Sequence, residues 1–459
     1  MAAGWAVVFP VTTAPEPHRV WGMSACLGYL CAAVAALFSR RRGPAVSVWP
    51  ALVGAVVVPF ALLVLTGTAQ SEVAVVERSG LLTLRQATPY LADPGTVGEV
   101  TPYLPGMAVF GLPSAVLGGG GPLTGPLGDA RLWCAVAFLC CLRAARRAIR
   151  RRADGPSSVV GGAPNGYALG AFVASPAVAL ALCVSGVDLP LTGLLFLALV
   201  YAARRRPVVA GLALAFACSL KWTAWPAVAV AVALLAHHEG LREAVRGAAV
   251  AVGGTVLLVL PSMLLSPGPL VQQVFAFPTG RGPFETPAAS PLPGRLLADL
   301  GPAGWYTAVA LLLTGGLAVF VSLLVRPPHD LVSAADRLAV GLCVAFLLAP
   351  AGRYGYLALP VTLCVLARLV GGARREEPAH GLAVRASRPA RPVPVPVARG
   401  ARNARHRRLP QLPLHRLTTP SPKAATIHGH HADRHQRLPA PPGRHRDLRP
   451  CHGDPRPRP

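Results

Sequence analysis

The chain has 459 residues, of which 53% are hydrophobic and only 14% charged, with a mean hydropathy of +0.48. A soluble domain carries roughly 25% charged residues, so the composition excludes an ordinary water-soluble enzyme and points to a polytopic membrane protein. The net charge of +25 does not indicate nucleic acid, because residues 371–459 alone hold 19 Lys and Arg against 5 Asp and Glu, while the apolar remainder carries its arginines in short clusters.

Apolar runs near 21–38, 48–68, 130–146, 165–185, 189–203, 207–221, 223–237, 247–266, 302–325, 332–349 and 355–371 read as membrane helices. The expectation is an all-α polytopic protein of about eleven transmembrane helices over 21–371, preceded by an outer segment, 1–20. No leader is expected there, since a charged start and a cleavage site are absent. Three runs are short, and the pair around Lys221 is compatible with a re-entrant hairpin. The basic clusters at 40–42, 143–152, 204–206 and 242–246, with Arg326 and 374–375, all fall on one side when the spans are counted, and that side is expected to be cytoplasmic. The other side receives two long outer loops, 69–129 and 267–301, the turn at 185–188, the neighbourhood of Lys221, and 350–354.

The stretch from Glu72 to Gln86 reads as a helix lying on the membrane. Nine of the ten cysteines sit in apolar runs without ligand spacing, so no metal site is expected. The tail from 372 is rich in Arg, Pro and His, lacks hydrophobic periodicity, and reads as a disordered basic cytoplasmic tail. Three readings compete for it: contact with anionic lipid, metal binding by His428, His430 and His431, or a stretch translated out of its original frame. None places chemistry there.

The acids near the membrane are the first chemical candidates. Glu72 and Glu77 follow the second run. Five positions apart on a helix they differ by about 140°, so only one faces a given cavity. One carboxylate suffices as a general base for an acceptor hydroxyl; the alternative is a solvated loop acid. Asp188 either caps the next helix or lines a polar cavity. Lys221, one of only two lysines, either holds a phosphate or snorkels beside Trp222 and Trp225. Arg353 and Tyr354 form an outer polar pair suited to an anion, and Arg281 and Glu285 are secondary candidates. A phosphate-binding glycine loop, a dinucleotide fingerprint, a nucleophile elbow, a zincin helix and an Asp-x-Asp pair are all absent from the sequence.

Three pieces in order carry a family resemblance. The first is the acid after the early span followed by Thr88-Pro89-Tyr90 and Tyr103-Leu104-Pro105-Gly106. The second runs from Gly186-Val187-Asp188 through 204–206 and 210–215 to Leu220-Lys221 and Pro226. The third is Arg353-Tyr354. Over about 45–370 the chain resembles glycosyltransferase family 87 of the C superfamily, the polyprenyl-phosphate-mannose-dependent mannosyltransferases of actinobacteria. The resemblance implies a multi-pass enzyme of the cell membrane with its active site on the extracytoplasmic face. Its partners would be a polyprenyl-phosphate sugar donor, a glycan or glycolipid acceptor and the lipid bilayer, with no cofactor and no nucleic acid. A hexose, mannose in the family, would be transferred with inversion. The base falls on Glu72, with Glu77 as the alternative. Tyr90, Tyr103, Asp188, Lys221, Arg353 and Tyr354 would bind substrate, with Lys221 and Arg353 on the lipid phosphate. The family usually has Asp where Glu72 stands, and the first span and the tail have no counterpart in it. The competing readings are a membrane transporter or lipid flippase, which would bury polar residues in mid-span, and a non-catalytic scaffold or enzyme relic.

Overall fold

The computed structural model describes residues 1–38, 45–118, 121–150 and 166–371. The basic residues at 40–42 and 374–375, the tail and its three clustered histidines lie outside the described residues. Among the described residues the chain is helical, with one isolated bridge between Ala289 and Gly352 as the extended pairing.

A helix stands at each of the eleven apolar runs. Five are long and apolar enough to cross a membrane: Glu16–Phe38, Val46–Leu65, Leu241–Leu265, Pro302–Val325 and Leu331–Leu348. The pair Gly166–Val173 and Pro176–Val184, bent by 61°, makes a sixth if it is one span. Leu189–Ala203, Pro207–Leu220 and Pro226–Glu239 have 15, 14 and 14 residues. At 1.5 Å per residue each is about 20 Å long, short of a hydrocarbon layer of about 30 Å. Length and composition therefore support five or six spans.

The short helices form the centre. Leu189–Ala203 buries 12 of its 15 residues, including Leu191, Leu195 and Leu199, as an all-round apolar helix must. The long helices Leu241–Leu265 and Pro302–Val325 instead leave Leu257, Leu264, Leu313 and Leu324 exposed, the surface expected of a helix facing lipid. Glu16–Phe38 crosses the following helix where Gly28 meets Gly54, a contact that only small residues permit. A π turn, Val53–Val57, falls at this crossing. Its carbonyls take outside donors: Ser24 Oγ gives to Gly54 O at 2.7 Å and Trp21 Nε1 to Ala55 O at 2.9 Å. The first residues are helical as well. Ala2–Thr12 folds back so that Phe9 meets the Trp21 ring edge-on at 5.6 Å.

Two close approaches position the loop between Val46–Leu65 and Ala130–Arg150. A side chain on Gly80, in the helix Ser71–Gln86, would overlap the backbone of Gly111, so this helix lies directly on the 3-10 segment Pro105–Gly111. Gly106 is likewise pressed against Ser219, and Leu104 N–H donates to Leu220 O at 3.0 Å. The helix bearing Glu72 is thereby fixed, through one intervening segment, to the end of Pro207–Leu220, where Lys221 follows. Buried Gln273 ties in the second long loop: it accepts from Thr101 N–H at 2.9 Å and donates to Leu91 O at 2.7 Å.

Candidate active site

Four of the charged candidates meet at one end of the helices, brought there by separate segments. Glu72 lies in the first turn of Ser71–Gln86, where the helix dipole favours a carboxylate. Its Oε1 accepts a charge-assisted hydrogen bond from Arg353 Nη1. Its Oε2 is buried and has no hydrogen-bond partner. Arg353 is held from the other side by the second long loop, through Nε to Pro287 O at 3.3 Å. The loop is pinned there because Ser290 N–H donates to Gly352 O at 3.0 Å and Gly352 N–H to Ala288 O at 2.9 Å.

The second pair is Lys221 and Asp188, joined Nζ to Oδ1. Lys221 leaves the end of Pro207–Leu220 in extended backbone. Its ammonium lies over the Tyr103 ring, 4.8 Å from the centroid, within cation–π range. Asp188 occupies the N-cap position of Leu189–Ala203 but makes no side-chain cap; its carboxylate goes to Lys221. Tyr103 is buried, and its carbonyl accepts the Tyr90 hydroxyl at 2.9 Å. Tyr90 thus braces Tyr103 from behind.

The two pairs are electrostatically one cluster. Burial pulls the Lys221 ammonium down, but Asp188, Tyr356 and Glu72 together outweigh it and hold the group charged. Burial likewise disfavours the Arg353 cation, and Glu72 and Tyr356 reverse the balance. Burial pushes the Tyr103 phenol well above its ordinary value, with Asp188, Glu72 and Tyr356 adding to the shift and Arg353 opposing it, so its hydroxyl stays neutral. Two acids facing two cations leave a site with no net charge. One carboxylate oxygen lacks a partner, and two cations flank it. That set can accept a proton and bind an anion.

Glu77 goes elsewhere. Its Oε1 accepts the Ala130 N–H at 3.1 Å and so caps Ala130–Arg150. Burial raises its carboxyl; the Ala130 bond lowers it, neighbouring Asp129 raises it and Arg131 lowers it, and the net shift is upward. A carboxyl raised in the fold contributes stability that is present below its ordinary value of 4.5 and is lost as the pH rises through the folded value. Glu77→Gln keeps an acceptor for Ala130 without the charge. We expect it to melt at the same temperature as the wild type near pH 4 and at a higher one near pH 7, measured by thermal unfolding in detergent. A lower melting temperature near pH 7 would contradict this.

Other residues are placed as follows. Tyr354 is 57% exposed and contributes its backbone N–H to Ser290 Oγ at 3.3 Å. Two positions on, Tyr356 stands among the charges of Lys221, Arg353, Asp188 and Glu72, and sequence reasoning passed it over. It also passed over His18, which is within electrostatic reach of Glu72 and has a buried, unpartnered Nδ1. Arg281 stacks on Trp305 at 3.9 Å, away from these pairs by every contact it makes. Arg131 was missed too, although a charge at the very start of an apolar run was a usable signal. It is fully buried and forks onto Asp129 through Nε and Nη2. It also donates to Thr68 O at 2.8 Å, Leu63 O at 3.0 Å and Cys183 O at 3.2 Å. Three positions of the chain, near the ends of two helices and in the turn after one of them, are tied together by this one guanidinium. Among the described residues no three His, Cys, Asp or Glu side chains gather as a metal site would require.

A family model described as glycosyltransferase family 87 matches residues 101–350. No curated protein matches the chain. Among solved structures it is similar to ArnT from Cupriavidus metallidurans, described as bound to undecaprenyl phosphate, with 16% sequence identity and a TM-score of 0.42 over 69% of this chain. The chain spans 59% of the length of that structure. The matched stretch 101–350 is more than half of the 459 residues and contains Tyr103, Asp188 and Lys221. On that extent of match, the chain belongs to glycosyltransferase family 87.

Proposed function

We propose that this membrane glycosyltransferase moves a hexose, mannose by its family resemblance, from polyprenyl phosphate to an extracytoplasmic glycan or glycolipid acceptor, with inversion. The observation that carries the reading is the meeting of Glu72, with its unpartnered buried oxygen, and the cations Arg353 and Lys221.

The chemistry follows from charge. A polyprenyl-phosphate sugar is a phosphodiester with one negative charge. When the bond from the anomeric carbon to the phosphate oxygen breaks, the leaving phosphate takes the electron pair and gains a second charge. Arg353 and Lys221 would stabilise that growing charge. The acceptor hydroxyl loses its proton to Glu72 as its oxygen attacks the opposite face of the anomeric carbon, so inversion results. At rest each cation is neutralised by its own acid. Donor phosphate would draw Arg353 from Glu72 and release the carboxylate to act as base. Tyr103, neutral and beneath Lys221, would present an apolar ring and a hydroxyl to the sugar, and Tyr356 fits the same role.

Sidedness rests on Ala130–Arg150. Its arginines keep it out of the five or six spans counted by composition, but its 21 residues make about 30 Å, one hydrocarbon thickness. It begins beside Glu77 and ends in Arg143, Arg146, Arg147 and Arg150, and an arginine-rich end favours the cytoplasm. The site would then face outward. The test is transfer by the purified protein in liposomes, offered either polyprenyl-phosphate mannose or a nucleotide-activated mannose. Transfer from the lipid donor alone is expected. Transfer from the nucleotide sugar without a lipid carrier, or movement of the lipid across the bilayer without sugar transfer, would overturn the reading.

A further inference from the structure

The far end of Ala130–Arg150 holds a second feature. Arg143, Arg146, Arg147 and Arg150 recur at i, i+3, i+4 and i+7 and so share one helix face. They line a cavity of about 280 Å³ whose other walls include Leu142 and Leu169. The same Leu142, Arg146 and Leu169 border a smaller apolar recess with Phe196 and Leu366. Among the described residues no Asp or Glu lines either space. None of the four guanidiniums takes part in the ion pairs of the described residues. Arg146 Nε is buried without a hydrogen-bond partner, a donor with its acceptor missing.

Arginines at a helix C-terminus suit the dipole, and that alone would account for exposed Arg143, Arg147 and Arg150. It does not account for the half-buried Arg146, whose buried Nε lacks an acceptor, at the junction of a basic cavity and an apolar recess. Four cations with no acid beside them among the described residues call for an anion, and the leucine walls call for an apolar portion on the same ligand. We infer that this cavity is a binding site for an anionic phospholipid of the leaflet opposite the Glu72 cluster, with the phosphate among the four arginines and an acyl chain against Leu142 and Leu169. A soluble phosphate would use the cations and leave the apolar walls unexplained.

The experiment uses the full chain, delipidated in a neutral detergent and titrated with phosphatidylglycerol or phosphatidylcholine, with bound lipid counted by native mass spectrometry. Each arginine near an anionic lipid contributes about fivefold in affinity. The wild type should retain phosphatidylglycerol at least fivefold more strongly than phosphatidylcholine. Arg146→Gln should lose about fivefold of that preference, the triple variant Arg143→Gln/Arg146→Gln/Arg150→Gln nearly all of it, and Arg146→Lys should keep part. If the triple variant does not fold, the wild-type selectivity and the single variants carry the test. Equal retention of the two lipids by the wild type, or unchanged selectivity in Arg146→Gln, would overturn the inference. So would displacement of phosphatidylglycerol by millimolar inorganic phosphate, which would make the ligand a soluble anion.

Discussion

Glu72→Gln is expected to lower kcat for sugar transfer by about 10²–10⁴-fold, the range for loss of a general base, without weakening the apparent affinity for the lipid donor. Glutamine has the shape of glutamate and cannot take the acceptor's proton. It also withdraws the negative charge that holds Arg353 in the resting site. The guanidinium is then free for donor phosphate, so KM should stay level or fall while kcat collapses. Glu72→Asp, which keeps a carboxylate one methylene shorter, should recover much of the rate. A raised KM with unchanged kcat would instead make Glu72 a binding residue only.

Arg131→Met should carry the largest stability cost. The guanidinium is fully buried and serves Asp129 and three backbone carbonyls from separate parts of the chain. Removing it leaves Asp129 almost buried and unpaired. Breaking such a pair costs about 3–5 kcal/mol, and the unsatisfied carbonyls add to the loss. We expect a sharply lower melting temperature and little folded protein. Arg131→Lys should rescue only part, because an ammonium cannot reproduce the fork onto Asp129. Asp129→Asn added to Arg131→Met should recover some stability by removing the stranded charge. An unchanged melting temperature for Arg131→Met would contradict the role assigned to this residue.

Much of the fold was legible because hydropathy marks helices, and a helix stands at every apolar run. Which helices span was not legible. Leu189–Ala203 is apolar on all sides because it is packed within protein on all sides, and a lipid-facing helix has the same composition. The length and the burial of the folded segments separate the two. In the site, Glu72, Asp188, Lys221 and Arg353 stood out as rare charges near apolar runs. Their pairing did not, since Glu72 and Arg353 are 281 residues apart and no local pattern joins them. The Gly80–Gly111 contact that seats the Glu72 helix is likewise invisible without coordinates. Tyr354 and Tyr356 share a residue type, and the phase of the 3-10 turn Tyr354–Leu357 decides which one meets the charges. Glu77 stood as the alternative base in the sequence, and its capping of Ala130 gives it another role.

The proposed reaction is a single displacement with one base and two phosphate-binding cations. The most direct measurement is the anomeric configuration of the sugar transferred by the purified protein from polyprenyl-phosphate mannose, read by NMR of the isolated product. A configuration opposite to that of the donor is predicted. Retention would require either a covalent sugar intermediate or attack from the face of the leaving phosphate, and would contradict the account.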